Sequence, residues 1–482
     1  MTVLIETRDL SIASTEAIVH PTSIEVRAGI PFTILGETGS GKSLLVQAIA
    51  DMLPPGVNAE GRVVINGRET RSLPARQRQA MWGREIAVLP QEPWLALDPT
   101  ARSIGQIAEG YSRVRGLPAA AALQAAEAAT RGLGLAGAGR KLPHQLSGGM
   151  AQRVAFLAAR AGGAPIVIVD EPTKGLDAAL RDSAVELLRR EMGQDGGLLT
   201  ITHDIAVPRR LGGEVAIMLE GRIVEAGPVE RVLATPQHDY TRKLIAADPA
   251  AWPRRAGAAS AGAPVLEAPV LEAPVLDAQG VGKARGGNLL FRDWSFEIAR
   301  GEIVGIVGPS GCGKSSFGDL LLGLLAPDSG TVRRHPDFPA RRFQKIYQDP
   351  PSAFAPQLTF RETLADLCRL HRLPEERVGD LMQRLRLHRS FLDRRPGEIS
   401  GGELQRLALL RVLLLDPVFL FADEPTSRLD LITQKEMTDL LVALAREQDC
   451  ALLLVSHDLE LVAKTADRVV EMRSPAAAAA AA

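Results

Sequence analysis

GETGSGKS at residues 36–43 and GPSGCGKS at residues 308–315 are the two stretches from which the fold of this chain is predicted. Each stretch follows a β-rich run, IPFTILGE or GEIVGIVG, and precedes an apolar segment with helical periodicity. A strand, a glycine-rich turn and a helix N-terminus direct backbone N–H groups and the positive end of a helix dipole at one point, which suits a phosphate. One such turn could arise by chance, but two copies in the same context predict two phosphate-binding loops.

The two halves of the chain share further motifs in the same order. Ser147 precedes Glu171 by 24 residues, and Ser400 precedes Glu424 by the same 24 residues. Such agreement predicts an internal repeat of two similar domains. The paired motifs are LSGGMAQR (146–153) with ISGGELQR (399–406), IVIVDEP (166–172) with FLFADEP (419–425), and ITHD (201–204) with VSHD (455–458).

Composition and spacing predict α/β domains joined by a linker. APVLE occurs twice before APVLD at 273–277, and such Ala/Pro-rich sequence is typical of an extended spacer. The stretches 98–160 and 352–415 are rich in helix formers and predict a helical subdomain in each half. The expected boundaries are 1–251 for the first domain, 252–275 for the linker, 276–474 for the second domain and 475–482 for a poly-Ala tail.

The second half is expected to be shorter than the first. Lys42 and Gln91 are separated by 49 residues, whereas Lys314 and Gln348 are separated by only 34. The residues that the second half lacks relative to the first lie where a β-subdomain should form, so we expect a shorter β-subdomain in the second half.

Overall composition excludes several classes of protein. Lys plus Arg number 56 and Asp plus Glu number 57, so bulk electrostatics do not favour a nucleic-acid binder. The three scattered cysteines predict reduced thiols in the cytosol, and no signal peptide or apolar run of membrane-spanning length is expected.

The phosphate loops carry a specific chemistry. The lysine of each loop supplies a positive charge to the β- and γ-phosphates, and the following serine supplies a hydroxyl to Mg²⁺. Cys312 occupies a variable loop position, which favours a small tolerated side chain over a redox role. The residues expected to hold the phosphates are Gly36, Gly39, Ser40, Gly41, Lys42 and Ser43 in the first loop, and Gly308, Ser310, Gly311, Cys312, Gly313, Lys314 and Ser315 in the second.

Acidic and polar residues after other predicted strands complete two hydrolytic sites. A lone Asp-Glu pair after a strand could simply be solvated, but both pairs here stand at a fixed distance from a Ser-Gly-Gly motif. The first carboxylate of each pair suits the Mg²⁺ shell, and the second suits the activation of water. The expected metal-binding residues are Ser43, Gln91, Asp170, Ser315, Gln348 and Asp423, and the expected catalytic residues are Glu171, Glu424, His203, His457, Gln91 and Gln348.

Each Ser-Gly-Gly motif predicts an anion site at a helix N-terminus. A serine hydroxyl and exposed N–H groups at such a terminus bind negative charge, although an ordinary N-cap would explain the serine alone. The residues expected to contact nucleotide in this way are Ser147, Gly148, Gly149, Ser400, Gly401 and Gly402.

These motifs resemble those of the ATP-binding cassette (ABC) ATPases along the whole chain except its linker and tail. The resemblance implies two tandem cassettes, each with a P-loop α/β core, an antiparallel β-subdomain and an inserted helical subdomain. It also implies an intramolecular head-to-tail dimer that binds two ATP molecules with Mg²⁺, each between the phosphate loop of one cassette and the Ser-Gly-Gly helix of the other. Asp177 and Asp430 match the family's aspartate at the dimer seam.

A finer resemblance concerns the stretch 217–249 (IMLEGRIVEAGPVERVLATPQHDYTRKLIAADP) and QEPWLALDP at 91–99. Both are similar to the ATPases of oligopeptide, dipeptide and nickel importers. This resemblance implies two transmembrane permeases, an extracytoplasmic substrate-binding protein and a position on the cytoplasmic face of the inner membrane, without nucleic acid. An exporter ATPase, a two-cassette translation factor acting on ribosomes and a DNA-repair or chromosome ATPase remain alternatives.

The sequence departs from the family's pattern at the adenine base. The family usually stacks adenine on an aromatic residue about two dozen positions before the phosphate loop, and the matching positions here hold Ala13 and Arg285. Arg285 could stack through its planar guanidinium, whereas Ala13 cannot.

Overall fold

A computed structural model describes residues 2–135, 137–173, 178–253, 274–309, 311–427 and 429–472. The chain divides into two compact units, Met1–Ile245 (unit 1) and Ala246–Ala482 (unit 2). Trp252, the first residue of the predicted linker, is buried in unit 2, and residues 254–273 of that linker lie outside the described part of the chain.

Unit 1 is built from an antiparallel β-subdomain, a mainly parallel sheet and helices. Its strands are β1 (Val3–Ala13), β2 (Ala17–Thr22), β3 (Glu25–Arg27), β4 (Phe32–Gly36), β5 (Asn58–Ile65), β6 (Arg68–Glu69), β7 (Ile86–Leu89), β8 (Ile166–Asp170), β9 (Gly197–Thr202), β10 (Glu214–Leu219) and β11 (Arg222–Pro228). Its helices are α1 (Lys42–Ile49), α2 (Ala75–Gln79), α3 (Ser103–Arg113), α4 (Ala119–Gly132), α5 (Gly148–Arg160), α6 (Ala178–Met192), α7 (Ala206–Leu211), α8 (Val229–Ala234) and α9 (Asp239–Ala247), the last of which contains the division between the units.

The larger sheet of unit 1 has the strand order β11-β10-β4-β9-β8-β7 and is parallel except for β11. All residues of β4 and β9 are buried, as expected for central parallel strands covered on both faces. The other sheet has the order β2-β1-β5-β6, with β3 also paired to β1. Helices α3, α4 and α5 form the expected helical subdomain around buried Ile107, Ala126 and Val154.

Unit 2 repeats this plan in a shorter form. Its parallel sheet has the order β16-β17-β18-β14-β19, and its antiparallel sheet has three strands among the described residues, β13-β12-β15, against five in unit 1. The strands are β12 (Leu276–Arg285), β13 (Asn288–Ile298), β14 (Ile303–Val307), β15 (Ser329–Arg334), β16 (Phe343–Ile346), β17 (Phe419–Asp423), β18 (Ala451–Val455) and β19 (Arg468–Glu471). The helices are α10 (Lys314–Leu321), α11 (Phe360–His371), α12 (Glu376–Arg384), α13 (Gly401–Leu413), α14 (Leu431–Glu447) and α15 (Leu459–Thr465).

One buried helix residue and one buried strand residue differ in size between the two units. In unit 2, a Cβ added to Gly318 in α10 would lie 2.1 Å from the ring of Phe421 in β17. The corresponding positions in unit 1 hold Val46 and Ile168, both buried, so a larger helix residue there faces a smaller strand residue. The same space is therefore filled in opposite ways, in keeping with the close packing of protein interiors.

We predict that Gly318→Ala lowers the melting temperature of unit 2, because overpacking typically costs about 1–3 kcal/mol and exceeds the gain in helix propensity. Gly379→Ala in α12 is the matched control, since its Cβ would meet only the end of Arg389 at 3.6 Å. The pair Gly318→Val with Phe421→Ile copies unit 1 and should recover most of the stability that Gly318→Val loses. An unchanged melting temperature in Gly318→Ala, measured by calorimetry, would contradict this packing.

Candidate functional site

The carboxyl edge of each parallel sheet gathers the predicted site residues. In unit 1, β4 leads directly into the phosphate loop, β8 ends at Asp170, and His203 follows β9. In unit 2, β14 leads into the second loop, β17 ends at Asp423, and His457 follows β18. Because parallel strands end at one edge, residues far apart in sequence lie together there, at the place where open α/β sheets bind ligands.

The first phosphate loop is closed around its lysine. Lys42 Nζ donates to the carbonyl oxygen of Gly36 at 2.8 Å and to that of Glu37 at 2.6 Å, and it lies 3.4 Å from Ser40 Oγ. Gly41, immediately before α1, has φ +95, a left-handed conformation in which any side chain would strain the backbone. The loop thus holds a buried ammonium group beside a helix N-terminus, an arrangement that fits the phosphates of a nucleotide.

The second loop reproduces this geometry with different residues. Lys314 Nζ donates to the carbonyl oxygens of Gly308 at 2.8 Å and Pro309 at 3.0 Å, and Gly313 has φ +105 before α10. Cys312 replaces the serine of the first loop, and burial raises the pKa of its thiol. A buried, protonated thiol agrees with the small tolerated side chain that the sequence favours.

The glutamate after each strand faces the predicted histidine. In unit 1, Glu171 Oε1 lies 2.8 Å from His203 Nδ1, and Thr202 Oγ1 donates to Glu171 Oε2 at 3.2 Å. Burial opposes the charged form of His203, but the hydrogen bond to Glu171 and the charge of Glu171 outweigh burial and raise the pKa of the ring. Burial also opposes the charged form of Glu171 and by itself would raise its pKa. The contacts with His203 and the charge of Lys42 outweigh burial and lower the pKa of Glu171.

In unit 2, the glutamate is joined by two predicted partners. Glu424 Oε1 lies 2.5 Å from His457 Nε2, and Gln348 Nε2 donates to Glu424 Oε2 at 2.8 Å. The two units use opposite ring nitrogens, Nδ1 of His203 and Nε2 of His457, for this contact. Gln91, the counterpart of Gln348, is exposed at its position after β7.

Both glutamates adopt a backbone conformation that is uncommon for their residue type. Glu171 has φ +50 and Glu424 has φ +47, and each backbone N–H donates to the neighbouring strand, at Ile201 or Val455. Backbone strain of this kind costs about 1–3 kcal/mol and tends to persist where function requires it. The same strain in both units therefore supports the catalytic role expected of these carboxylates.

A family model described as ABC transporter matches residues 19–174 and 291–427, one range in each unit. The chain belongs to the ABC transporter family. It carries two ATP-binding cassettes, binds nucleotide and is an ATPase. We refer to unit 1 as the first cassette and to unit 2 as the second cassette.

Relatives in this family match nearly the whole chain. The peptidoglycan transport ATP-binding protein YejF of Agrobacterium fabrum is 32% identical over 98% of this chain and 91% of its own length. The glutathione import ATP-binding protein GsiA of Pectobacterium atrosepticum is 32% identical over 97% of this chain and 84% of its own length.

Two solved structures share the fold of this chain. RNase-L inhibitor matches with a TM-score of 0.63 over 96% of this chain and 87% of that chain, at 22% identity. The archaeal ribosome recycling factor in complex with a ribosomal stalk protein matches with a TM-score of 0.61 over 94% of this chain and 84% of that chain, also at 22% identity. At this identity the likeness concerns the fold alone. Among the described residues of the ABC protein, no helix is both long and apolar enough to span a membrane.

The Ser-Gly-Gly helices of the two cassettes are capped differently. Ser147 Oγ accepts from the N–H of Met150 at 3.4 Å, whereas Ser400 Oγ donates to Glu403 Oε2 at 2.6 Å. Asp430 caps α14 by accepting from the N–H of Thr433 at 3.0 Å. Of the other expected nucleotide contacts, Asp177 and Ser310 lie outside the described residues.

The donors beside the second loop fit a magnesium ion. Ser315 Oγ donates to Asp423 Oδ1 at 3.0 Å, so a hydroxyl and a carboxylate oxygen meet at the carboxyl edge of the sheet. Mg²⁺ prefers such hard oxygen ligands and keeps several waters. These residues would hold the ion in the second cassette, where it would neutralise charge on the phosphates.

One buried lysine beside Asp423 is not predicted from the sequence. Lys345 in β16 lies 2.7 Å from Asp319 and 3.5 Å from Asp423 Oδ2, and its side chain is only 11% exposed. Burial raises the pKa of Asp423, and the charge of Lys345 and the hydrogen bond from Ser315 offset only part of that effect. The first cassette has Val88 at the matching position, so its strand β7 has no lysine at this place. A charged residue within the strand FQKI is the signal that could have revealed it.

We predict that Lys345→Met destabilises the metal-free second cassette by about 3 kcal/mol, because it leaves the buried carboxylate of Asp423 without its counter-ion. With ADP present, adding Mg²⁺ should then raise the melting temperature more in the variant than in the wild type, since the ammonium no longer competes with the ion. Lys435→Met is the control for the Mg²⁺-dependent shift, because it removes a lysine that contacts Asp439 and the Trp252 ring and neither of the carboxylates that Lys345 contacts. Equal shifts with Mg²⁺ in variant and wild type would contradict this role of Lys345.

Proposed function

We propose that this chain is the energy-coupling ATPase of an ABC importer for peptides, or for nickel and other metal chelates. The observation that carries the proposal is the match to YejF over 98% of the chain, together with the match to GsiA. Peptidoglycan and glutathione, which the names of these relatives give, both contain peptide bonds, and this favours peptides over metal chelates.

The proposed machinery uses both cassettes. They form a head-to-tail dimer that holds two ATP molecules with Mg²⁺, and closure around ATP drives two separate permeases at the cytoplasmic face of the inner membrane. A substrate-binding protein outside the cytosol delivers the solute. Within each site, the phosphate-loop lysine and serine bind ATP and Mg²⁺ with the strand-end aspartate and the glutamine, and the glutamate and histidine activate water beside the γ-phosphate.

An exporter ATPase and a ribosome-acting factor are the alternatives. The cassettes themselves do not encode the direction of transport. The likeness to the ribosome recycling factor concerns the fold alone and does not favour the ribosome-acting alternative.

Uptake by cells that lack this chain tests the proposal. We expect loss of radiolabelled trialanine uptake, restored by the wild-type chain and not by Glu171→Gln combined with Glu424→Gln. Loss and recovery of nickel uptake instead would favour metal chelates. If the deletion leaves both uptake rates unchanged, the importer proposal is wrong.

A further inference from the structure

We infer that Tyr240 is a positioning residue that fastens the first phosphate loop to the C-terminal helix α9, so that nucleotide affinity at the first site depends on the region after the sheet. The backbone N–H of Glu37, the second residue of the loop, donates to Tyr240 Oη at 3.1 Å. Tyr240 is only 7% exposed and lies 203 residues from Glu37 in sequence. The inference rests on the proposed role of this loop in binding ATP.

Glu37 connects Tyr240 to the lysine of the loop. The carbonyl oxygen of Glu37 accepts from Lys42 Nζ at 2.6 Å and from the N–H of Ser40 at 3.2 Å. Tyr240 therefore holds the N–H of the residue whose carbonyl group orients the expected phosphate-binding ammonium. A loop fixed at both groups is preorganised for its ligand, and preorganisation lowers the entropic cost of binding.

The position of α9 is itself set from the sheet. Glu225 in β11 accepts from the N–H groups of Gln237 and His238 at 2.9 and 3.1 Å, and the N–H of Tyr240 donates to His238 Nδ1 at 3.1 Å. These bonds hold the turn before α9 and start the helix at a defined place. The hydrogen bonds between RIVEAGP and QHDY thus position the hydroxyl group of Tyr240 at the loop.

The second cassette cannot make the same bond. Pro309 occupies the position of Glu37, and proline has no backbone N–H to donate. The two phosphate loops are otherwise alike in their lysine contacts and glycine conformations. The fastening by Tyr240 is therefore specific to the first site, and it gives the two sites different dependence on the rest of the chain.

A double-mutant cycle tests this inference, with Lys314→Ala as the background that weakens the second site. Tyr240→Phe removes only the hydroxyl group and should weaken ADP binding at the first site about three- to ten-fold, as expected for one neutral hydrogen bond. Glu37→Pro removes the N–H by copying the second loop. Adding Tyr240→Phe to Glu37→Pro should then cause no further loss, because the hydroxyl has lost the group through which it acts.

Tyr111→Phe in α3 removes a hydroxyl elsewhere in the same cassette and is the matched control. Hydrogen exchange gives a second readout: Tyr240→Phe should speed exchange in the peptide covering 36–41 and leave 308–313 unchanged. Unaltered ADP affinity in Tyr240→Phe, or an equal loss with and without Glu37→Pro, would overturn the inference. If Lys42→Ala also leaves ADP affinity unaltered, the proposed role of the loop fails instead.

Discussion

Replacing Glu171 and Glu424 together by glutamine should lower ATP turnover by at least about 10²-fold, the usual contribution of a positioned general base. Glutamine keeps the shape of the side chain and removes its charge and basicity. The two carboxylates are only 10% and 11% exposed and contact His203 and His457 at 2.8 and 2.5 Å, and we propose that both act on a water molecule. Each single replacement should also lower turnover strongly, while ATP affinity is retained.

Glu220→Gln is a matched control for this prediction. Glu220 shares the left-handed conformation, with φ +44, but it is exposed in the turn between β10 and β11. Its replacement should leave turnover unchanged, which separates the loss of a carboxylate from any effect of glutamine on such a backbone. A single glutamate replacement without loss of steady-state turnover would show that its site does not contribute to hydrolysis.

Replacing Lys42 or Lys314 by alanine should each weaken one nucleotide site by about 10- to 100-fold, the range expected when a hydrogen bond to a charged group is lost. Both ammonium groups are buried and held by two loop carbonyls, so they are in position before the ligand arrives. Titration calorimetry with ADP and Mg²⁺ should show two sites in the wild type and one tight site in each variant.

Lys243→Ala in α9 is the control, because it removes the same charge from a solvent-exposed side chain. It should retain both nucleotide sites. If Lys42→Ala and Lys314→Ala each retain two tight sites, the phosphate-binding roles proposed for these lysines are wrong.

Local sequence predicts much of this fold because its decisive features are short. The helices after the phosphate loops begin at Lys42 and Lys314, and the acidic strands end at Asp170 and Asp423. Glycine-rich turns and apolar strand runs specify such boundaries without help from distant residues. The start of β12 at Leu276, within the last repeat APVLD (273–277), follows from the same pattern of apolar strand residues.

The contacts that distinguish the two cassettes could not be predicted, because they join distant elements. Tyr240 meets Glu37 across 203 residues, and Lys345 meets Asp423 only because β16 and β17 are neighbours in the sheet. The exchange of Gly318 and Phe421 for Val46 and Ile168 likewise depends on how α10 and α1 pack on their strands. Sequence pattern predicts which residues approach the edge of the sheet, whereas tertiary packing decides which of them touch.

Purification of the tagged chain from membranes in mild detergent, followed by mass spectrometry of its companions, tests the proposed importer role most directly. We predict two different polytopic membrane proteins, in amounts similar to that of the ABC chain. Ribosomal proteins and RNA in place of membrane proteins would contradict this role and favour a factor that acts on ribosomes.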